Sequence, residues 1–408
     1  MMRLWWERSD LGYSDEGRLQ LGGYDLASLA EAGTTPAFFY SLPRATANLQ
    51  AVHAALDGTG ITRHRIFYAI KANRFMPLLT AFAQSGLCGV DVCSPEEMLH
   101  ALACGFREQD ISYTGTSISE ADLDIICRHP GILINCDSQS TIRRLAKRNV
   151  FKKIGLRINP AIGTGYGDSQ LLSYSGDKST KFGIYIEQFD ETLALAASLG
   201  LEVNRIHFHT GCGYLERQLP VWERVLESCC TFLDRVPKLE AINIGGGLGV
   251  RHKEADGTLD LSQWADIIRR RLGKYNCEIH VEPGDRIIKD AGVLVLRANT
   301  VEYKKDTLFV GVDGGFNHAC EPVYYGMPCE PVPAVLSGSK DTVWAGDSLV
   351  PTTIAGNINE ALDVWCKGFP LPKLDEGDLV VLLNAGGYAS SMSSNHCMRG
   401  ARYERLLL

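Results

Sequence analysis

The feature that most limits what this chain can fold into is an alternation of two hydrophobic periods. Between about residue 36 and residue 290, short apolar runs rich in β-branched residues recur: RIFYAI (65–70), GVDV (89–92), ISYTG (111–115), ILINC (132–136), IGLRINP (154–160), RIHFH (205–209), AINIGG (241–246) and EIHVEPG (278–284). Amphipathic stretches such as FMPLLTAFAQSG, SPEEMLHALACG and LSQWADIIRRRLGKY lie between them. Ser94, Pro95 and Glu97 spell a capping box with proline at the first helical position, so a helix is predicted to begin there. Eight strand–helix units predict a closed (β/α)8 barrel over 36–290. An open doubly wound sheet is the alternative. It would want a glycine-rich loop after the first strand, where this chain has KANR.

Beyond residue 290 the pattern changes. VLVLRANTVEYKKDTLFVGVDGG (293–315) and GDLVVLLNAGGY (377–388) read as strands and turns without regular helices between them. They predict an all-β second domain over 291–408, to which residues 1–35 add a strand. The net charge of −7, with no basic run, argues against nucleic acid and anionic membranes as partners. No stretch is apolar for long enough to span a bilayer. The opening MMRLWWERSDLG carries Arg3, Glu7, Arg8 and Asp10, unlike a secretory leader. Thirteen cysteines without a Cys-x-x-Cys pair fit reduced thiols and a cytoplasmic location better than a disulfide framework or a metal site.

In such a barrel the chemistry sits at the C-terminal ends of the strands. Those positions hold Lys71, Asp91, Gly115, Asp137, Asn159, His209, Gly245 to Gly247 and Glu282. Each has an ordinary explanation alone: a snorkelling lysine, a core histidine, a loose turn, a solvated carboxylate. Their gathering on one rim is harder to explain that way. Lys71 is the sharpest case, because a lysine ending a buried strand costs several kcal/mol unless its charge is lost, paired or used.

With these residues in place, the chain resembles the fold-type III pyridoxal-phosphate enzymes, in particular the diaminopimelate and ornithine decarboxylase branch. The resemblance runs through YAIKAN (68–73), GVDVCSPEEM (89–98), LRINP (156–160), KFG (181–183), HFHTGCG (207–213), NIGGGLG (243–249), EPGDR (282–286), VDGGFNHACEPVYYG (312–326), AGNINEALD (355–363) and NAGGY (384–388). It implies an alanine-racemase-like barrel, a C-terminal β domain, pyridoxal 5'-phosphate as cofactor, and a homodimer whose active sites are shared between subunits. It implies that Lys71 carries the cofactor and that Glu282 faces its pyridine nitrogen. His209 would pack on the ring face. Gly245, Gly246, Gly247 and Tyr388 would hold the phosphate, with Cys212 beside them. Asp91, Glu97 and Arg157 would support the cofactor and the lysine.

The departures from the family pattern bear on the substrate. Cys212 stands where the family has a serine, and Asp285 where it has an arginine. Arg286, one residue on, is the alternative holder of that arginine's role. Glu321, ahead of Tyr325, replaces an arginine that in diaminopimelate decarboxylases reads a distal carboxylate. Asn359, beside Glu360, replaces the cysteine that in the family helps to protonate Cα. The resemblance therefore implies decarboxylation of an amino acid, by these acids a diamino acid or derivative other than meso-diaminopimelate. By analogy, such an enzyme would serve a specialised biosynthetic pathway. The alternatives are diaminopimelate decarboxylation proper, an amino-acid racemase or epimerase on the same cofactor, and a non-catalytic pyridoxal-phosphate carrier.

Overall fold

A computed structural model describes residues 3–30, 34–176 and 179–408. Two compact units divide the chain. One comprises Asn48–Val250 and Gly257–Arg286; the other comprises the described residues up to Ala47 together with Arg251–Asp256 and Ile287–Leu408.

The first unit is a closed eight-stranded barrel. Its strands are β1 His64–Ala69, β2 Gly89–Val92, β3 Ile111–Tyr113, β4 Leu133–Cys136, β5 Lys153–Arg157, β6 Glu202–His207, β7 Ala241–Asn243 and β8 Glu278–Val281. All neighbours are parallel, and β8 returns to β1 with Ile279 opposite His64 and Val281 opposite Ile66. Closure rules out the open sheet and leaves no unpaired strand edge. Helices such as Met76–Ser85, Pro95–Ala103 and Leu261–Leu272 lie between the strands. Ser94 caps Pro95–Ala103 as expected, accepting from the Glu97 N–H at 3.1 Å. The Glu97 carboxylate reaches back to the Cys93 N–H at 2.8 Å, one residue before the cap.

Alternation along the strands sorts the side chains. Val90, Val92, Ile134, Leu156, Ile206, Ile242 and Val281 form a buried apolar set. Asp91, Ser112, Asn135, His207, Asn243 and Glu282 are buried as well. Side-chain hydrogen bonds join non-neighbouring strands of this second set, so it fills the barrel interior. Buried polar groups are tolerable only when paired in this way.

The second unit is built on the long strand Gly292–Lys304, antiparallel to Ala37–Ser41, Leu379–Leu382 and Thr307–Val312. Thr307–Val312 runs parallel to Leu349–Ala355, which pairs with Val364–Pro372. Tyr403–Leu407 lies parallel to Ala37–Ser41. Residues 36–47, 251–256 and 287–290, read from sequence as barrel, fall in this unit. The reason is pairing: Ala37–Ser41 is buried at every position and spends its backbone groups on Gly292–Lys304 and Tyr403–Leu407. The N-terminal segment forms a small sheet from Leu11–Tyr13, Leu19–Leu21 and Tyr24–Asp25. It is tied to the unit by a bridge between Arg18 and Val335. Met1, Met2 and Glu31–Gly33 of that segment lie outside the described residues. Among the described residues, no helix is long and apolar enough to cross a membrane.

Candidate active site

The barrel brings its chemistry-bearing residues to the C-terminal strand ends. Lys71 lies two residues beyond β1, Asp91 within β2, Arg157 at the end of β5, His209 just past β6 and Glu282 just past β8. Lys71 Nζ lies 3.5 Å from Asp91 Oδ2. Burial opposes the lysine's charge, but Asp91, Cys93 and Glu282 outweigh it and hold the ammonium above the ordinary lysine range. Burial raises the Asp91 carboxyl, and repulsion from Glu282 raises it further, against the pull of Lys71. Asp91 Oδ1 is buried and has no hydrogen-bond partner among the described residues.

Glu282 is bonded at both oxygens. Its Oε1 accepts from Asn243 Nδ2 at 2.6 Å and from Ser112 Oγ at 3.2 Å; its Oε2 lies 2.9 Å from His207 Nε2. Asn135 Nδ2 supports Ser112 in turn at 3.2 Å. Burial pushes the Glu282 carboxyl up, but His207, Lys71 and Asn243 more than offset it and hold it below the usual carboxylate range. A carboxylate has about four acceptor directions. Three are filled here, and one on Oε2 is left for a further donor.

His209 is kept neutral. Burial lowers its affinity for a proton, and Lys71 and Arg157 lower it further. Its Nδ1 accepts from the Gly246 N–H at 3.2 Å, and its ring lies 5.1 Å from that of Tyr174. The Arg157 guanidinium lies over the Phe182 ring at 4.5 Å. The glycine loop is pinned from three sides. Gly245 N–H donates to Asn243 Oδ1, Gly245 O accepts from the Glu282 N–H, and Gly247 O accepts from the Tyr214 N–H. A Cβ at Gly246 would stand 2.1 Å from the Glu282 carbonyl oxygen, and Gly247 has φ of 100°. No other residue fits this path.

Cys212 and Asp285, expected on cofactor and substrate respectively, are joined to each other: the Cys212 thiol donates to Asp285 Oδ2 at 3.4 Å. Arg286 follows Asp285 in the short helix Asp285–Ile288. In the sheet unit, Glu321 opens the helix Glu321–Tyr324, and its carboxylate meets Lys289 Nζ at 2.6 Å. The Lys289 side chain is 1% exposed, and its Nζ lies 5.5 Å from the centre of the Tyr388 ring. Tyr325 is half-buried; Asn359 and Glu360 are exposed. The turn carrying them is fixed by buried Asp363, which accepts from the Ile358 and Phe316 N–H groups at 2.7 Å each.

A sequence profile described as pyridoxal-dependent decarboxylase, pyridoxal binding domain, matches residues 45–289. The chain belongs to this family of pyridoxal-dependent decarboxylases. Diaminopimelate decarboxylase of Methanothermobacter thermautotrophicus is 30% identical over 405 residues, covering 96% of this chain and 90% of that relative. The Streptomyces coelicolor enzyme of the same name is 30% identical over 404 residues, covering 93% and 86%. Among solved structures, diaminopimelate decarboxylase from Helicobacter pylori, complexed with L-lysine, superposes with a TM-score of 0.83 at 25% identity, covering 94% of each chain. The chain is accordingly a pyridoxal 5'-phosphate-dependent amino-acid decarboxylase on the alanine-racemase-like fold.

The residues present fit that cofactor. This decarboxylase offers a primary amine at a strand end, a carboxylate with one acceptor direction open, and a glycine cradle closed to any Cβ. Sequence reasoning missed His207, Ser112, Asn135 and Asn243. The signal was present: His207 and His209 are two apart in a strand, hence on one face, and each of the others is a lone polar residue in an apolar run. Nothing in the local pattern marked Tyr174 or Lys289.

Proposed function

We propose that this decarboxylase acts on an amino acid whose far end is cationic or uncharged, with Lys71 as the residue that carries the cofactor. When bound, pyridoxal phosphate supplies the electron sink for the pair left at Cα as carbon dioxide departs. Glu282, held as an anion, would stabilise a proton on the cofactor's ring nitrogen. His209, kept neutral, would pack on the ring without adding charge. The backbone of Gly245 to Gly247 and the Tyr388 hydroxyl would hold the phosphate, with Cys212 beside them. Asp91 and Arg157 orient the lysine and the cofactor. Asn359 cannot act as an acid, so Lys71 Nζ, surrounded by Asp91, Cys93 and Glu282, returns the proton to Cα.

The observation behind the substrate reading is the pair of acids, Asp285 and Glu321, where the resembled enzymes have arginines. Glu321 is matched by Lys289, so that pair carries no net charge. An uncharged, hydrogen-bonding far end therefore fits as well as an ammonium, while a distal carboxylate would face Asp285. Arg286, Tyr325 and Glu360 complete the proposed substrate-side set. The names of the relatives favour a second reading, meso-diaminopimelate itself. The test is kcat/KM for carbon dioxide release from meso-diaminopimelate against lysine, ornithine and their acylated derivatives. Higher values for the latter are expected; a wide margin for meso-diaminopimelate would establish the second reading, with Arg286 taking the far carboxylate.

The proposed working unit is a two-fold homodimer in which the 357–363 turn completes the other subunit's site. Supporting this, Asn359 and Glu360 are exposed on a turn held rigid by Asp363, and Leu362 beside them is 46% exposed. Mixed under subunit exchange, inactive Lys71→Ala and Glu360→Ala proteins are expected to regain part of the activity. A monomer that is fully active in sedimentation and assay would refute the shared site.

A further inference from the structure

Glu282 has a partner whose position the reaction itself does not require. His207 ends strand β6, is 1% exposed, and places Nε2 2.9 Å from Glu282 Oε2. Its other nitrogen, Nδ1, is buried without a hydrogen-bond partner among the described residues. A buried orphan nitrogen is a cost that an apolar side chain would avoid. Something must offset that cost, and the bond to Glu282 is the one side-chain hydrogen bond His207 makes among the described residues.

The geometry fixes what His207 does there. A carboxylate accepts and cannot donate when ionised, so His207 Nε2 must carry the proton. Nδ1 then bears only a lone pair. Burial lowers the proton affinity of His207, although Glu282 opposes this, so the ring donates as a neutral imidazole. Asn243, on β7 between the strands of His207 and Glu282, and Ser112, on β3 across the barrel, secure Oε1. Without His207, Oε2 would lose its only donor among the described residues, and the carboxylate could turn about its bond to Cγ or take up a proton in its buried site.

We infer that His207 is a positioning residue that holds Glu282 ionised and in one orientation, and thereby sets how strongly the bound cofactor draws electrons. This rests on the reading of Glu282 as the carboxylate facing the pyridine nitrogen. His207 acts through its bond to Glu282.

The test compares His207→Phe, His207→Gln and Glu282→Gln holoenzymes by cofactor absorption against pH, borohydride attachment to Lys71, and kcat with KM. His207→Phe is expected to retain cofactor on Lys71, to shift the pH profile of the absorption band, and to lower kcat about tenfold or more with little change in KM. His207→Gln, which can still present an N–H to Oε2, should recover most of both. A wild-type pH profile and kcat in His207→Phe would overturn the inference. If His207→Phe does not fold, His207→Gln against the shorter His207→Asn decides: better kcat and a more native band in Gln support the inference, and equal values overturn it. Glu282→Gln separates the two levels. If it leaves the band unchanged, the reading of Glu282 is wrong; if it moves the band while His207→Phe does not, only the role of His207 falls.

Discussion

Lys71→Ala is expected to give a colourless protein with no measurable turnover. The reason is chemical: only a primary amine can hold the cofactor's carbonyl carbon covalently, and β1 delivers one amine to the rim, beside Asp91. Loss of such a group typically costs about a thousandfold or more in rate, far beyond what altered packing at a half-exposed position could produce. In the unaltered enzyme, borohydride should attach the cofactor permanently to Lys71, as peptide mapping would show. A label recovered on a different lysine, with none on Lys71, would end this assignment and the chemistry built on it.

The second large effect concerns stability. Reversing Glu321 to arginine looks from sequence like a direct test of substrate charge, but the structure shows why that single change fails. Lys289 Nζ lies 2.6 Å from the Glu321 carboxylate, with its side chain almost wholly buried. Glu321→Arg would set two cations against each other, and breaking a buried pair this way costs about 3–5 kcal/mol. We expect Glu321→Arg to melt markedly lower than the parent protein in thermal unfolding. Lys289→Ala combined with Glu321→Arg should restore much of the loss. That double variant is the proper probe of preference for a distal carboxylate. An unchanged melting temperature in the single variant would show that the pair contributes nothing to stability.

The barrel was legible because its strands are short, apolar and separated by helices with a different period, and because Lys71, His209 and Glu282 each break an apolar run at its end and Asp91 breaks one inside it. What stayed hidden has definite causes. Ala37–Ser41 is apolar throughout, and a run without alternation does not announce which sheet it joins. Leu349–Ala355 and Val364–Pro372 contain Pro351, Gly368 and Pro370, residues that weaken any strand reading. The Lys289–Glu321 pair joins residues remote in sequence, and Lys289 sits in IIKD, where a lysine looks like a solvated one. Glu97 was read correctly as a helix-start residue, yet its side chain serves Cys93, a choice of one residue that spacing does not resolve.

Barrel closure has a consequence for how the enzyme comes into being. Lys71 follows the first strand and Glu282 follows the last, and the two rims meet only because β8 lies against β1. During synthesis the amine emerges early and the carboxylate near the end of the unit. No nascent chain short of β8 contains both, so none holds the complete centre. The closing contact spans nearly the whole unit, the kind of distant pairing that folds slowly. With the roles proposed for Lys71 and Glu282, capture of the cofactor would belong to the final event of folding, and the yellow colour would mark the chains that have completed it.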